Sequence, residues 1–307
     1  MDTGATEDTD LGASSAAWRH SRFSAKPSEE RPRLSGVRTA LEQRFPRPSV
    51  MGIVNVTPDS FSDGGVNFRS EDAVDSARRM IAEGAAIVDV GGESTRPGSE
   101  GVSLDEELRR VVPVLESLTG LPVSIDTAKA DVARRALEIG AEMLNDVTAL
   151  RADAAMAEVA AEADAYVCLM HMQGEPRTMQ SKPTYDDVVS DVRRFLEERV
   201  QVAVDSGIRE DRICIDPGIG FGKTVEQNFE LIRRLDEISA VGPPVVVGFS
   251  RKSSLGKILG DPDATTGPLS ASIAAAVTAY ERGATILRVH DVKEHVEALT
   301  AARAVVG

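Results

Sequence analysis

The chain is poor in the residues that secreted, redox-active and aromatic-rich binding proteins use. It has 307 residues, of which 4% are aromatic and only two, Cys168 and Cys214, are cysteine. Both cysteines lie in apolar stretches without metal-ligand spacing, so we interpret them as buried, reduced thiols and expect a cytoplasmic location. No C-x-x-C, H-E-x-x-H or G-x-S-x-G pattern occurs, which argues against dithiol redox chemistry, zinc hydrolysis and acyl-serine chemistry.

Long apolar runs and an excess of basic residues are also missing. No run approaches the ~18 consecutive apolar residues of a transmembrane helix, so we expect no membrane partner. The N-terminus carries acidic and small residues without an apolar core, which is not the pattern of a secretory signal. The formal net charge is -14, whereas general nucleic-acid binding needs a basic face. We therefore expect small-molecule partners and no nucleic acid.

Short apolar runs alternate eight times with amphipathic segments after a polar N-terminus. Residues 1–35 lack apolar periodicity and are predicted to be a disordered extension, which leaves 36–307 for one domain. The predicted strands are 50–54, 86–90, 123–126, 142–145, 165–170, 213–216, 245–248 and 285–289, and the predicted helices are 70–83, 103–118, 129–139, 153–162, 185–206, 225–239, 268–281 and 292–304. This alternation predicts an α/β fold of the (β/α)8 TIM-barrel type, for which ~250 residues are typical. A doubly wound open sheet is the alternative, although it usually has fewer strands.

Polar residues end most of the predicted strands. They are Asn55, Asp89, Asp126, Asn145, His171, Asp216, Arg288 and His290. In a TIM barrel the carboxyl ends of all strands meet at one rim, where active sites are built. Capping of the next helix explains any one Asp or Asn equally well, but it does not require the set to point inward. We expect Asp126, Asn145 and Asp216 to bind a flat heterocycle with adjacent N–H and C=O groups, because burying them is costly without a ligand.

Positively charged residues gather at the last two strand ends. Arg251 and Lys252 follow strand seven, and Arg288 and His290 end strand eight on one face because strand side chains alternate. These are the positions where barrels most often hold phosphate, so an anion site is expected and surface salt bridges are the less favoured interpretation. Asn55 begins a glycine-rich loop, and its carboxamide suits Mg²⁺, which keeps most of its waters.

The loop after strand six comes close to a phosphate-binding P-loop, but Pro217 stands where that pattern needs its first glycine. We still expect this loop to present backbone N–H groups and Lys223 to the site. Phe221 either walls a pocket or folds back onto the barrel. We interpret His171 as structural and His295 as a solvent-exposed residue of the last helix.

Two long motifs resemble the signatures of the dihydropteroate synthase family. They are M-G-I-V-N-V-T-P-D-S-F-S-D-G-G at 51–65 and G-G-E-S-T-R-P-G at 91–98. The resemblance continues through 124–127, 145–147, 170–174, 216–218, 250–252 and 288–292, and it covers the chain from about residue 37 to the C-terminus. So many motifs in the right order make this a specific resemblance to pterin-binding TIM-barrel enzymes.

The resemblance implies a folate-pathway transferase that joins (7,8-dihydropterin-6-yl)methyl diphosphate to 4-aminobenzoate and releases diphosphate, with Mg²⁺ as cofactor. It implies pterin contacts from Asp126, Asn145, Met170, Asp216, Phe221, Lys252 and Arg288, and aminobenzoate contacts from Phe61, Thr95, Pro97, Lys252 and Ser253. It implies diphosphate contacts from Asn55, Arg96, Arg288 and His290, a metal contact from Asn55, and catalytic roles for Asp126, Lys252, Arg288 and Asp63. It also implies inhibition by sulfonamides and a homodimer formed through the late barrel helices.

Two other hypotheses share part of this pattern. A pterin-dependent methyltransferase domain would use the same barrel and pterin contacts, but it would not need Arg96 or the pair Arg288 and His290. A non-catalytic pterin-binding paralogue would not need the two glycine-rich loops together with Lys252 and Arg288. These residues favour the diphosphate-releasing reaction.

Overall fold

A computed structural model of the chain describes residues 1, 39–57, 66–94, 99, 101–174, 178–180 and 183–306, with the backbone alone for 66–69. In these residues, parallel strands pair in sequence order, and the pairing of the first strand with the last closes a barrel. The strands are β1 (Ser49–Asn55), β2 (Ile87–Gly91), β3 (Val123–Asp126), β4 (Met143–Asp146), β5 (Tyr166–Met170), β6 (Ile213–Asp216), β7 (Val245–Val247) and β8 (Ala284–Val289). The predicted (β/α)8 TIM barrel is confirmed. The extension over 1–35 lies outside the described residues apart from Met1, and it stays a prediction.

Helices alternate with the strands as the apolar periodicity predicts. They are α1 (Leu41–Arg44), α2 (Val66–Ala82), α3 (Leu104–Ser117), α4 (Ala130–Ile139), α5 (Met156–Glu162), α6 (Val188–Asp205), α7 (Val225–Arg233), α8 (Leu235–Ser239), α9 (Ser253–Ile258), α10 (Leu269–Glu281) and α11 (Val292–Val306). The predicted helix 225–239 is interrupted at Arg234, whose φ of -115° leaves the helical range. The short α9 was not predicted, because six residues are too few to show a helical period. None of the described helices is long and apolar enough to cross a membrane.

The amino end of the barrel is closed by residues that precede β1. Leu41 and Phe45 join the inward side chains of the strands in one buried cluster, which includes Cys168 and Cys214. The Phe45 ring meets Tyr166 edge-on at 5.6 Å between centroids, a favourable aromatic geometry. Both cysteines are free and buried, as predicted. The side chains that fill the barrel at this end are apolar, and the acids Asp126 and Asp216 lie at the opposite ends of their strands.

His295 corrects the interpretation of the last helix. The side chain is fully buried, and its Nδ1 lies 2.6 Å from the carbonyl oxygen of Asp291. Val292, His295 and Leu299 are the buried residues of α11, and their spacing places them on one helical face. The prediction was wrong because it weighed the polarity of histidine above its place on the inward stripe.

Candidate active site

Strand pairing brings the predicted pterin residues to one mouth of the barrel. Asp126 and Asn145 are register partners on β3 and β4, and Met170 and Asp216 are partners on β5 and β6. Each of these residues is the last or the next-to-last of its strand. All four side chains are buried. Residues that the sequence analysis grouped by strand-end position and by the family resemblance are therefore neighbours at the carboxyl rim.

Arg288 is the centre of a buried cluster that also contains Asp89, Asp126 and Asn145, and we call these four residues the Arg288 cluster. The guanidinium donates through Nε to Oδ2 of Asp89 at 2.7 Å and through Nη2 to Oδ2 of Asp126 at 2.8 Å. Asn145 donates through Nδ2 to the same Asp89 oxygen at 2.8 Å. Residues that were predicted to contact the pterin and a residue that was predicted to contact the diphosphate thus belong to one hydrogen-bonded unit.

Asp89 lies near the end of a predicted strand but is absent from the predicted site. Its side chain is fully buried, and it orients both Arg288 and Asn145. The signal in the sequence is an aspartate inside an otherwise apolar strand, at a position where alternation turns the side chain inward. A buried charge of this kind requires a partner, and that partner is Arg288.

The electrostatics of the cluster follow from burial and from the imbalance of acids over cations. Burial raises the pKa of Asp126 to about 7, against the attraction of Arg288 and with the repulsion of Asp89 adding to it. Burial acts to lower the pKa of Arg288, but the charges of Asp89 and Asp126 outweigh it and the pKa is raised. The pKa of Asp216 is also raised by burial. The mouth therefore offers acceptors to a ring rich in N–H donors and disfavours additional negative charge at its floor.

Phe221 and Lys252 form one wall of the mouth. The Lys252 Nζ lies 4.3 Å from the centroid of the Phe221 ring, a cation–π arrangement. The half-buried ring packs against a buried cluster that contains Met170. Both hypotheses for Phe221 therefore hold in part, because the ring rests on the barrel and also faces Lys252.

The predicted anion end is less cationic than expected. The pKa of His290 is lowered to about 3, first by burial and then by the charge of Arg288, so its ring is neutral. Its Nδ1 lies 3.1 Å from Oγ of Ser250. Arg251 turns outward, where its Nε donates to Oδ2 of Asp291 at 3.0 Å. The surface salt bridge, which was the less favoured interpretation, is therefore correct for Arg251, whose backbone is left-handed with φ of 55°.

Lys223 corrects a second expectation. Its side chain is 2% exposed and is directed into the protein, where Nζ lies 2.9 Å from Nδ1 of His171. It is therefore not presented to the mouth. His171 has the structural role assigned to it: its ring lies edge-on to Phe195 at 4.9 Å, and burial lowers its pKa to about 2.

Several predicted site residues lie outside the described part of the chain. They are Phe61, Asp63, Thr95, Arg96 and Pro97. Asn55, the predicted metal contact, is half-buried at the end of β1 beside Gly91. The described residues contain no group of three or more acidic, histidine or cysteine side chains that could hold a metal ion. The donor set present, one carboxamide oxygen, fits an Mg²⁺ ion that is held mainly by water and by oxygens of a substrate.

Comparison with known proteins agrees with this geometry. The chain matches the family described as "Pterin binding enzyme" over residues 51–290. It is 49% identical over 258 residues to dihydropteroate synthase of Escherichia coli strain K12, covering 82% of this chain and 89% of that protein. A structure of Xanthomonas albilineans dihydropteroate synthase with 4-aminobenzoic acid superposes with a TM-score of 0.79 at 47% identity, covering 86% of this chain and 94% of that one. A Yersinia pestis dihydropteroate synthase in a sulfonamide drug complex gives a TM-score of 0.79 at 45% identity, covering 85% and 95%. The chain belongs to the dihydropteroate synthase family of pterin-binding enzymes.

Proposed function

We propose that this chain synthesises 7,8-dihydropteroate from (7,8-dihydropterin-6-yl)methyl diphosphate and 4-aminobenzoate, with release of diphosphate. The observation that carries the proposal is the Arg288 cluster, in which one half-buried cation is shared by two buried acids at the barrel mouth. The acids suit the ring, and the cation suits the departing anion. The E. coli relative, which is named for this activity, is similar to this chain over most of its length.

Ring recognition falls to the acceptors of the mouth. Asp216 accepts the N–H of Gly218 through Oδ1 at 2.7 Å, and a carboxylate has further lone pairs for a 2-amino-pyrimidinone edge. Asn145 supplies a donor and an acceptor, and Asp126 supplies a further acceptor. Met170 and Phe221 offer apolar surface to the faces of the ring.

Departure of diphosphate is the step that the cations assist. Arg288 lies where charge builds on the leaving oxygen, and stabilisation of developing charge by preorganised donors is a major source of catalysis. His290 donates as a neutral imidazole, and Arg96 and Asp63 would act from the two glycine-rich loops. Asn55 would hold Mg²⁺, which supplies charge neutralisation on the phosphate oxygens when it is bound.

Bond breaking before attack is the preferred sequence. The methylene left behind carries positive charge that is delocalised into the ring, and Asp126 favours that cation. The arylamine is neutral at physiological pH and needs no strong general base. Secondary isotope effects on the methylene measure this directly, and values typical of a tight associative transition state contradict the sequence.

The second substrate would bind beside Lys252 and Ser253. Lys252 is held over Phe221, and Ser253 is the first residue of α9. Phe61, Thr95 and Pro97 would complete the site, as the family resemblance implies. Sulfonamides would compete there with 4-aminobenzoate, in line with the drug complex of the Yersinia pestis protein.

A homodimer is supported by apolar surface on the late helices. Ile258 and Leu269 on α9 and α10, with Leu259 between them, are exposed large apolar side chains, and such surface favours association. The free buried thiols Cys168 and Cys214 support a reducing, cytoplasmic compartment.

Diphosphate release tests the function against both alternative hypotheses. The purified chain with Mg²⁺ is given pterin diphosphate with and without 4-aminobenzoate, and released diphosphate and pteroate are quantified. We expect stoichiometric diphosphate and pteroate when both substrates are present. A methyltransferase domain or a non-catalytic paralogue would bind the pterin and form no pteroate, and this result would overturn the proposal.

Two substitutions separate ring recognition from chemistry. We expect Arg288→Ala to reduce kcat by about 100-fold or more, because it removes the donor to the leaving oxygen. We expect Asp216→Ala chiefly to weaken pterin binding, because it removes an acceptor for the ring edge. Steady-state kinetics and calorimetric titration of pterin measure both. Unchanged pterin affinity in Asp216→Ala contradicts the ring assignment.

A further inference from the structure

A lysine without a role in the proposed chemistry is buried beside the active-site mouth. Lys223 Nζ lies 2.8 Å from the carbonyl oxygen of Gly218, 3.0 Å from that of Phe221 and 2.9 Å from Nδ1 of His171. In the described part of the chain, these acceptors are backbone carbonyls and an imidazole, not carboxylates. A buried ammonium group without an ion-pair partner is costly, so ordinary packing does not explain it.

The number of acceptors matches one ionisation state of the lysine. An ammonium group has three N–H donors, whereas a neutral amine has two. With its three donors, the ammonium form supplies the two loop carbonyls and the imidazole nitrogen, and the carbonyl oxygen of His171 lies farther away at 3.4 Å. A neutral amine would donate to the two carbonyls and accept from an Nδ1–H of His171. When Lys223 is an ammonium group it donates to Nδ1, and the ring proton of His171 then lies on Nε2.

The same contacts connect Lys223 to the predicted pterin residues. We call residues 217–222, which follow β6, the β6 loop. Gly218 accepts from Lys223 through its carbonyl oxygen and donates through its N–H to Oδ1 of Asp216 at 2.7 Å. Phe221, whose ring faces Lys252, accepts from Lys223 through its own carbonyl oxygen. The ammonium group of Lys223 is therefore linked to Asp216 through one residue, Gly218. It is linked to the wall of the mouth through the backbone of Phe221.

The outer side of the β6 loop is held by neutral groups. The hydroxyl of Tyr185 donates to the Gly222 carbonyl at 2.7 Å, and the amide of Gln180 donates to the Gly220 carbonyl at 2.6 Å. Asn228 accepts the Gly220 N–H at 2.7 Å. These contacts fix the part of the loop far from Asp216. Next to Asp216, the Gly218 carbonyl accepts from the backbone N–H of Phe221 at 3.1 Å and from the side chain of Lys223 at 2.8 Å.

We propose that Lys223 is a positioning residue whose ammonium group braces the β6 loop and so holds Asp216 and Phe221 in the geometry that binds the pterin ring. The inference rests on the proposed function and deepens it, because it assigns a role to a residue that does not touch substrate. It also explains why the P-loop-like lysine is turned inward.

The charges around Lys223 make its brace sensitive to pH. Burial lowers the pKa of Lys223 to about 7, the charge of Asp216 opposes this, and the charge of Lys252 adds to it. His171 is neutral there, because burial and the charges of Lys223 and Arg151 lower its pKa to about 2. As pH rises through about 7, the ammonium loses a proton and the brace loses one donor.

Lys223→Met is the direct test, with Lys293→Met on the exposed surface of α11 as the matched control. The probe is 7,8-dihydropterin-6-ylmethanol, which has the ring and lacks the diphosphate, titrated calorimetrically into the full chain. We expect its Kd to rise about tenfold or more in Lys223→Met and to stay unchanged in Lys293→Met. The KM for pterin diphosphate should rise in parallel, whereas the KM for 4-aminobenzoate should not. A folded Lys223→Met variant that binds the probe like the wild type overturns the inference.

Lys223→Arg covers the case in which Lys223→Met does not fold. Arginine stays charged at all relevant pH values. The affinity of the Lys223→Arg variant for the probe should therefore fall less than that of the wild type between about pH 6 and about pH 9. Parallel pH profiles for the two proteins overturn the inference. A wild-type chain that turns over both substrates while these variants behave normally contradicts only the role of Lys223. A wild-type chain that binds no pterin contradicts the proposed function itself.

Discussion

At Arg288, one guanidinium group satisfies carboxylates that come from two different strands. Asp89 belongs to β2 and Asp126 to β3, and both accept from the same side chain. Neither acid has the hydration that would stabilise it alone, so each depends on the shared cation. A change at any member of the Arg288 cluster therefore alters the ionisation of the others.

This dependence gives Asp126 a measurable pH signature. Its pKa is raised to about 7 in the folded chain. As pH rises from about 4 to about 7, Asp126 therefore ionises in the unfolded state before it does so in the folded state, and the free energy of unfolding falls. Asp126→Asn cannot ionise and escapes this loss. We expect the variant to gain stability relative to the wild type by on the order of 2–4 kcal/mol between about pH 4 and about pH 8. Urea denaturation at a series of pH values measures the difference, and a constant difference contradicts the raised pKa.

The placement of a polar side chain was predictable where it depends on strand position alone. Asp126, Asn145 and Asp216 end their strands, and alternation turns them inward, so the sequence pattern was sufficient. The bond from Arg288 to Asp89 joins residues 199 positions apart and exists only because β8 returns beside β1. The inward turn of Lys223 likewise depends on neighbours that no local pattern encodes, whereas the helical spacing of Val292, His295 and Leu299 does indicate the burial of His295.

Among the elements, the β6 loop is the most constrained by its neighbours. Gly218 has φ of 69°, and a Cβ atom there would overlap the carbonyl oxygen of His171. Any side chain would push the loop from β5 and displace the N–H that holds Asp216. The loop was recognised as glycine-rich from sequence, but the reason for the glycine lies in the end of β5.

Gly218→Ala tests this packing against backbone strain alone. Gly120 also has a positive φ, of 87°, and a Cβ atom added there would meet nothing within 4 Å, so Gly120→Ala is the control. We expect Gly120→Ala to cost about 1 kcal/mol of stability and Gly218→Ala to cost about 2–3 kcal/mol more, together with weaker pterin binding. Thermal denaturation and pterin titration measure the two effects. Equal losses in both variants would show that the contact with His171 is unimportant.

Element bounds were predictable to within a few residues, because apolar periods of two and 3.6 residues are long enough to read. The elements that escaped are short. α1 and α9 have four and six residues, and each is held by tertiary contacts more than by its own pattern. The break at Arg234 could not be read either, because the apolar period continues across it.

Across the whole molecule, the two ends of the barrel have different tasks. The amino end is packed with apolar side chains around Phe45 and Tyr166, whereas the carboxyl end carries the Arg288 cluster. Arg212, which is fully buried, reinforces the amino end by pairing with Asp164 at 3.1 Å and donating to the carbonyl oxygen of Thr39. We therefore expect substitutions at the amino end to change the stability of the fold and substitutions at the carboxyl end to change the chemistry.

Phe45→Ala tests this separation. The substitution leaves a cavity between α1 and Tyr166, and loss of a buried phenylalanine costs about 3–5 kcal/mol. We expect the free energy of unfolding to fall by about that amount, with kcat unchanged well below the melting temperature. Gln43→Ala, at an exposed position of the same helix, should change neither quantity. A large loss of kcat at low temperature would show that the two ends are coupled.

The pairing of β1 with β8 has a consequence for how the protein is made. The cation of the Arg288 cluster is encoded some 160 codons after the second of the acids it serves. While the ribosome is still translating, Asp89 and Asp126 have emerged and their counterion has not. A nascent chain that does not yet include β8 cannot assemble the pocket, and we expect it to have no affinity for a pterin.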